Sequence, residues 1–118
     1  MVIDREELIT TLNKFDYAKY GIKRVGLAGS YANGTATEKS DVDIVLDSEI
    51  EDESIECIEA IREFIKKNFR KKSDVMYLVE LEEEDKELDE LCKIAGISIN
   101  KDSVYKTIVR EVIWFKEL

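Results

Sequence analysis

The sequence predicts an α/β fold of two layers, in which a small mixed β-sheet packs against helices in the order α-β-α-β-α-β-α. Segments whose apolar residues recur every three or four positions alternate with short segments rich in β-branched residues. One strand connection is short and the next contains a long helix, which predicts one antiparallel and one parallel strand pair. The length of 118 residues predicts a single domain over 1–118.

The first half of the chain predicts two helical segments and two strands. A helix over 4–18 begins where Asp4 and Glu7 have the spacing of a capping box, and Gly21 supplies a stop. Leu8, Leu12 and Phe15 recur along it at helical intervals. The next elements are a strand, a short helical turn and a second strand, over 22–28, 30–35 and 41–47.

The second half predicts three further helices and one clear strand. The apolar stripe is most regular over 54–70, a strand follows over 73–81, and the last helices cover 84–95 and 107–117. Val104–Tyr105 fit a short edge strand. In the helix over 84–95 the side chains expected to face inward are Leu88, Leu91, Cys92 and Ala95.

The composition excludes several classes of protein. Without histidine the chain has no Ser-His-Asp or Cys-His catalytic site and no His-ligated zinc. Two cysteines are too few for a disulfide framework, which predicts a reducing, cytoplasmic location. We expect no signal peptide and no membrane contact, because no apolar run approaches the roughly 20 residues of a membrane span. A net charge of −9 argues against direct nucleic-acid binding and favours a basic partner or bound cations.

The segment from Leu27 to Asp47 carries the chemistry. Gly29 and Ser30 follow the first strand, where a backbone without a side chain and a helical N-terminus can hold a phosphate. Asp41 and Asp43 are two residues apart on a strand, so both carboxylates lie on one face. Magnesium is the kind of cation that would offset their repulsion.

A third carboxylate joins this site through the predicted topology. Asp74 begins the strand over 73–81, and a parallel crossover places it beside Asp43 at one edge of the sheet. Gly29 and Ser30 reach the same edge if the first two strands are antiparallel. Three carboxylates beside phosphate-binding amides are the equipment for two-metal phosphoryl or nucleotidyl transfer.

This pattern resembles the nucleotidyltransferase superfamily that includes DNA polymerase β. The resemblance rests on Ala28-Gly29-Ser30, a ten-residue spacer, Asp41-Val42-Asp43-Ile44 and the later Asp74, and it covers roughly 22–79. The short chain is most similar to the minimal nucleotidyltransferases (MNT), including the antitoxin half of HEPN/MNT toxin–antitoxin pairs. It departs from the family pattern at Ala28, where members often have an aromatic residue, and at Asn33, where they often have a basic one.

The resemblance implies transfer of AMP from ATP to a hydroxyl. Asp41, Asp43 and Asp74 would be the catalytic residues and the ligands of two Mg²⁺ ions, and Gly29 and Ser30 would bind the β and γ phosphates. The acceptor it implies is a tyrosine of a HEPN ribonuclease toxin. The apolar residues in the helix over 107–117 indicate a surface for homo- or hetero-oligomer contacts, or for packing on the chain's own sheet.

Two other functions remain compatible with the sequence. One is an antitoxin that binds and occludes its toxin without catalysis. The other is a nucleotidyltransferase that acts on a small molecule. The intact set of three carboxylates favours catalysis, because converging like charges destabilise a protein that holds no metal.

Overall fold

The computed structural model describes residues 2–48 and 55–118. Its five helices, α1 to α5 in chain order, are Arg5–Leu12, Gly29–Asn33, Ile55–Phe69, Leu78–Ala95 and Val104–Glu111. A short 3-10 turn at Ala18–Tyr20 lies between α1 and the first strand. Its strands are β1 to β4: Ile22–Ala28, Val42–Ser48, Ser73–Tyr77 and Ile113–Glu117. Residue 54, the predicted start of α3, lies outside the described residues.

The four strands form one mixed sheet in the order β3-β2-β1-β4. β1 and β2 are antiparallel, and β2 and β3 are parallel with α3 as the crossover. Both pairings follow the rule that a short connection suits an antiparallel pair and a helical crossover a parallel one. The predicted class, a mixed sheet packed with helices, is therefore confirmed.

Helices cover both faces of the sheet. The larger core holds α1 and α3 against one face, where Leu12, Ile61 and Ile44 are fully buried. A smaller core on the other face joins Val45 to Ile108 of α5 and to partly buried side chains at the start of α4. Because side chains alternate along a strand, Asp43 and Asp74 face this smaller core.

The prediction of a final helix over 107–117 was wrong. α5 ends at Glu111, and Ile113–Glu117 form β4, which pairs antiparallel with β1. The Cγ2 of Val112 and the ring of Trp114 occupy the space that a Cβ on Gly26 would fill. The apolar side chains of this segment pack, partly buried, on the protein's own sheet, which is one of the two roles predicted for them, and they do so from a strand rather than a helix. The edge strand predicted at Val104–Tyr105 was also wrong, since these residues begin α5.

The first predicted helix is shorter than expected. Asp4 caps α1 by accepting a hydrogen bond from the N–H of Glu7 at 3.3 Å, but the helix ends at Leu12. Tyr17 is buried beside that end, and its hydroxyl donates to the Leu12 carbonyl at 2.6 Å. Burial raises the pKa of Tyr17, so the hydroxyl keeps its proton. Gly21, with φ of 70°, ends the 3-10 turn rather than α1.

The helix predicted over 84–95 begins six residues earlier and buries a different face. The strand predicted over 73–81 ends at Tyr77, and α4 starts at Leu78. Leu88 and Leu91, expected to face inward, are 52% and 61% exposed. Ala95 is exposed as well, and Cys92 is only partly buried, whereas Cys57 in α3 is fully buried. Among the described residues, no helix has the length and apolar character needed to cross a membrane.

Candidate active site at the sheet rim

The strand register brings the predicted site residues to one rim of the sheet. Asp43 of β2 lies opposite Ala28 of β1 on one side and opposite Asp74 of β3 on the other. Gly29 follows Ala28 directly and begins α2. Asp41 immediately precedes β2 and is exposed. The rim thus joins three strand ends that are far apart in the sequence.

The three carboxylates of the rim are close enough to act on one another electrostatically. The pKa of Asp43 is raised to about 6, first by burial and then by the negative charges of Asp74 and Asp41. Like charges raise a carboxyl pKa strongly only over short distances. Asp43 is therefore the centre of the acidic group, and its ionised form is destabilised there by desolvation and by charge repulsion.

Gly29 is fitted tightly against Asp43. Its φ is 64°, in the left-handed region that favours glycine. A Cβ at this position would overlap Oδ2 of Asp43. Any side chain at 29 would push that carboxylate away, so glycine is required here both by the backbone conformation and by the contact.

Asp41 is positioned by a lysine from another segment. Lys71 follows α3, and its Nζ donates to the carbonyls of Glu38 and Ser40, at 2.9 and 3.3 Å. The N–H of Val42 donates to the carbonyl of Lys72 at 3.1 Å. The loop that leads into β2 is thereby held on both sides of Asp41. Asp41 also lines a cavity of about 370 Å³, whose other lining residues include four basic side chains: Lys39, Arg70, Lys71 and Lys72.

A cleft of about 330 Å³ opens between the rim and α5, and we call it the rim cleft. Its floor comes from the strands and from α2: Ala28, Gly29, Asp43, Asp74 and Met76. Its wall comes from α5 and the residues before it: Asp102, Val104, Thr107, Ile108 and Glu111. Ser30 and Asp41 are adjacent to this floor in the chain without lining the cleft.

The model of the nucleotidyltransferase domain family matches residues 6–115, which is nearly the whole chain. The chain belongs to this family. The match includes every element that builds the rim.

Individual relatives agree with this assignment. A protein adenylyltransferase, MntA, from Thermococcus cleftensis is 41% identical over 44 residues, which are 37% of this chain and 44% of the relative. The chain therefore matches less than half of the length of that relative. Two toxin–antitoxin crystal structures share the fold, one with AMP-PNP and one a MntA–HpeT mutant. They give TM-scores of 0.58 and 0.57 at 16% and 13% identity, covering 98% of this chain and 75% of each matched chain.

The donor set of this nucleotidyltransferase domain fits a hard cation that is shared with a substrate. Asp41, Asp43 and Asp74 supply carboxylate oxygens, the ligands that Mg²⁺ prefers. In the described part of the chain, no three acidic or thiol side chains form a metal cage by themselves. Magnesium characteristically takes one or two carboxylates and completes its shell with water and phosphate oxygens. An open acidic rim is the arrangement that this requires.

Two departures from the family pattern have visible consequences. Asn33 is exposed, and its Oδ1 accepts hydrogen bonds from the N–H of Thr35 at 3.1 Å and from its hydroxyl. The side chain thus closes a turn after α2. Ala28 is buried in the smaller core.

The sequence reasoning missed the far wall of the cleft. Asp102 and Glu111 bring two further acids to it, and Asp102 pairs with Arg110 at 3.0 Å. No sequence signal marks them, because Asp102 lies in the turn before α5 and Glu111 is an ordinary acidic residue at the end of that helix. Only the packing of α5 over the rim assigns them to the site.

Proposed function

We propose that this chain is a Mg²⁺-dependent nucleotidyltransferase that transfers AMP from ATP to a tyrosine hydroxyl of a partner HEPN ribonuclease toxin. The observation that carries the proposal is the meeting of Asp43 with Asp41 and Asp74 beside Gly29, at a cost visible in the raised pKa of Asp43. A divalent cation would remove that cost, because it favours the charged carboxylates. The AMP-PNP in one structure of the same fold supports ATP as the donor.

Each rim residue has a role in this reaction. Asp41, Asp43 and Asp74 would hold two Mg²⁺ ions, which supply charge neutralisation for the triphosphate and the leaving pyrophosphate. Gly29 and Ser30 offer N–H groups at the start of α2, where Ala28 provides no side-chain cap, so a phosphate can accept from them.

The bond changes follow from this placement. The acceptor oxygen attacks the α-phosphorus, and the bond between that phosphorus and the pyrophosphate oxygen breaks. Asp74, exposed at the cleft floor, accepts the hydroxyl proton. No covalent intermediate on the enzyme is required.

The burial of the chain's own tyrosines supports an acceptor on another protein. Tyr17, Tyr31 and Tyr77 are at most 3% exposed, so their hydroxyls cannot enter the rim cleft of a second molecule. Only Tyr20 and Tyr105 are partly exposed. Self-labelling, where it occurs, is expected at these two positions.

The decisive experiment combines the protein with Mg²⁺, α-labelled ATP and the product of the neighbouring gene. We expect label on that product, lost with Asp41→Asn/Asp43→Asn and retained with Glu63→Gln, an exposed carboxylate on α3. Mapping the label to a tyrosine would support the full proposal. Toxin neutralisation by the double variant, without any label on wild type, would instead show occlusion. Label that appears only on a small-molecule acceptor would refute the protein-acceptor part.

A further inference from the structure

The second half of α4 extends beyond the packed part of the domain. Every residue from 93 to 102 is exposed. Apolar side chains are nevertheless frequent on this helix end and on the segment after it, and we call the set the α4 ridge. Its members are 46% to 82% exposed: Leu88, Leu91, Ile94, Ile97 and Ile99. Single exposed apolar residues are common, but Leu88, Leu91 and Ile94 recur every three residues along α4, so each is a neighbour of the next on the helix surface, and apolar groups of this kind mark interaction surfaces.

The ridge is a built structure rather than a frayed end. Gly96 ends α4 in the left-handed conformation, and the N–H of Ile97 donates to the carbonyl of Cys92 at 3.0 Å. This is the hydrogen-bond pattern of a Schellman cap. The returning segment is also fastened, since Ser103 donates to the buried Asp85 at 2.5 Å. The apolar side chains are therefore held in place while they face solvent.

Lys106 fastens the same region from α5. Its Nζ contacts Asp89 at 2.7 Å and Asp85 at 3.4 Å, and it donates to the carbonyl of Asn100 at 3.0 Å. These contacts join α4, the loop and α5 into one unit.

The ridge is continuous with the rim cleft. Leu88 shares a cavity of about 250 Å³ with Asp102 and Val104. The same Asp102 and Val104 line the rim cleft with Asp43 and Asp74. A protein seated on the ridge therefore lies at the mouth of the cleft.

Charge limits what can sit there. α4 carries eight acidic and two basic side chains, so the ridge lies within a strongly negative border. A second copy of this chain, with net charge −9 and the same acidic helix, would be repelled. A ribonuclease, in contrast, must present basic groups to bind RNA phosphates. A ribonuclease surface with an apolar centre and a basic border would be complementary to the apolar α4 ridge and its acidic border.

We propose that the α4 ridge is the docking surface for the ribonuclease toxin, and that it seats the toxin so that its acceptor hydroxyl enters the rim cleft. This inference rests on the proposed function for the identity of the partner. It adds the surface, the charge pattern and the route to the carboxylates.

The test measures binding and transfer separately. Leu91→Asp and Ile94→Asp place a charge on the ridge, and Ile55→Asp is the matched control, because Ile55 is 75% exposed at the start of α3 on the other face of the sheet. We expect the ridge variants to raise the Kd for the neighbouring gene product at least about tenfold. The control should stay within about twofold of wild type. Binding of AMP-PNP with Mg²⁺ should be unchanged in all three variants, which also shows that they are folded.

The outcomes separate the two proposals. Wild-type transfer together with unchanged binding by both ridge variants refutes the ridge and leaves the proposed function standing. Loss of binding in the ridge variants, with no transfer by wild type, supports the ridge and refutes the catalytic proposal. A wild-type homodimer that becomes monomeric with Ile94→Asp shows that a second copy covers the ridge, and this overturns the inference.

Discussion

Replacing Asp43 with asparagine is expected to stabilise the protein while abolishing its activity. The pKa of Asp43 rises from the ordinary 3.8 to about 6, a shift of about 2 units. At about 1.4 kcal/mol per unit, the ionised carboxylate costs at most about 3 kcal/mol of unfolding free energy. Asp43 is only half-buried, and solvent screening reduces the expected gain of Asp43→Asn to about 1–2 kcal/mol at pH 8.

The effect of Asp43→Asn on the free energy of unfolding depends on pH. Between about pH 4 and 6 the folded state keeps a proton on Asp43 that the unfolded chain has released. Stability therefore falls as pH rises through this window, and the variant gains nothing near pH 4, where Asp43 is neutral in the folded state. The gain should appear progressively and be complete above about pH 7. Asparagine resembles the protonated acid in shape, so packing changes little.

Urea unfolding of wild type and variant from pH 4 to pH 8 measures this difference, because the titrating groups that do not interact with Asp43 contribute equally to the two proteins. Asp47→Asn is the control on the same strand and face. It loses an ion pair with Arg24 at 2.9 Å and should be neutral or destabilising at pH 8. Mg²⁺ with AMP-PNP should stabilise wild type more than Asp43→Asn. A variant no more stable than wild type at pH 8 would refute the convergence of carboxylates.

Three other substitutions test the supports of the site and the fold. Gly29→Ala should cost about 1–3 kcal/mol more than Gly34→Ala, because both have positive φ but only the first meets a neighbouring carboxylate; equal thermal unfolding shifts would contradict this. Tyr17→Phe should lower the free energy of unfolding, measured in urea, by about 1–2 kcal/mol, because the buried carbonyl of Leu12 loses its hydrogen-bond donor. An unchanged free energy of unfolding would mean that this carbonyl finds another donor. Lys71→Met should lower the rate of labelled-AMP transfer about tenfold, because the loop that holds Asp41 loses its hydrogen bonds to the Lys71 ammonium, whereas Lys72→Met should have little effect. Similar transfer rates for the two variants would show that Lys71 does not position Asp41.

The rim of the site could be predicted because local rules determine it. The short connection after β1 and the long helix α3 fix the directions of three strands, and direction decides which strand ends meet. Given those directions, Asp43 and Asp74 must share an edge, and the register places them directly opposite each other. The contact between Gly29 and Asp43 is finer than this reasoning can reach, because it depends on the turn geometry of α2.

The C-terminal strand could not be predicted because its partner is distant in the sequence. Val112 to Phe115 form an apolar run that suits either a buried helix or a strand, and periodicity does not separate the two. The choice is made by the open edge of β1, more than 80 residues earlier, and by the space above Gly26 that Trp114 fills. A pattern confined to the segment contains neither fact.

The error at α4 has a different cause, and it bears on function. The spacing of Leu88, Leu91 and Ala95 correctly indicated an apolar face, but the expectation that this face is buried assumed that the chain covers itself. Two features on the same side of the sheet lower the stability of the domain: the mutually repelling carboxylates and the exposed apolar side chains of the α4 ridge. Because Asp102 and Val104 connect the two features, one binding event at the ridge would cover apolar surface and deliver an acceptor to the carboxylates.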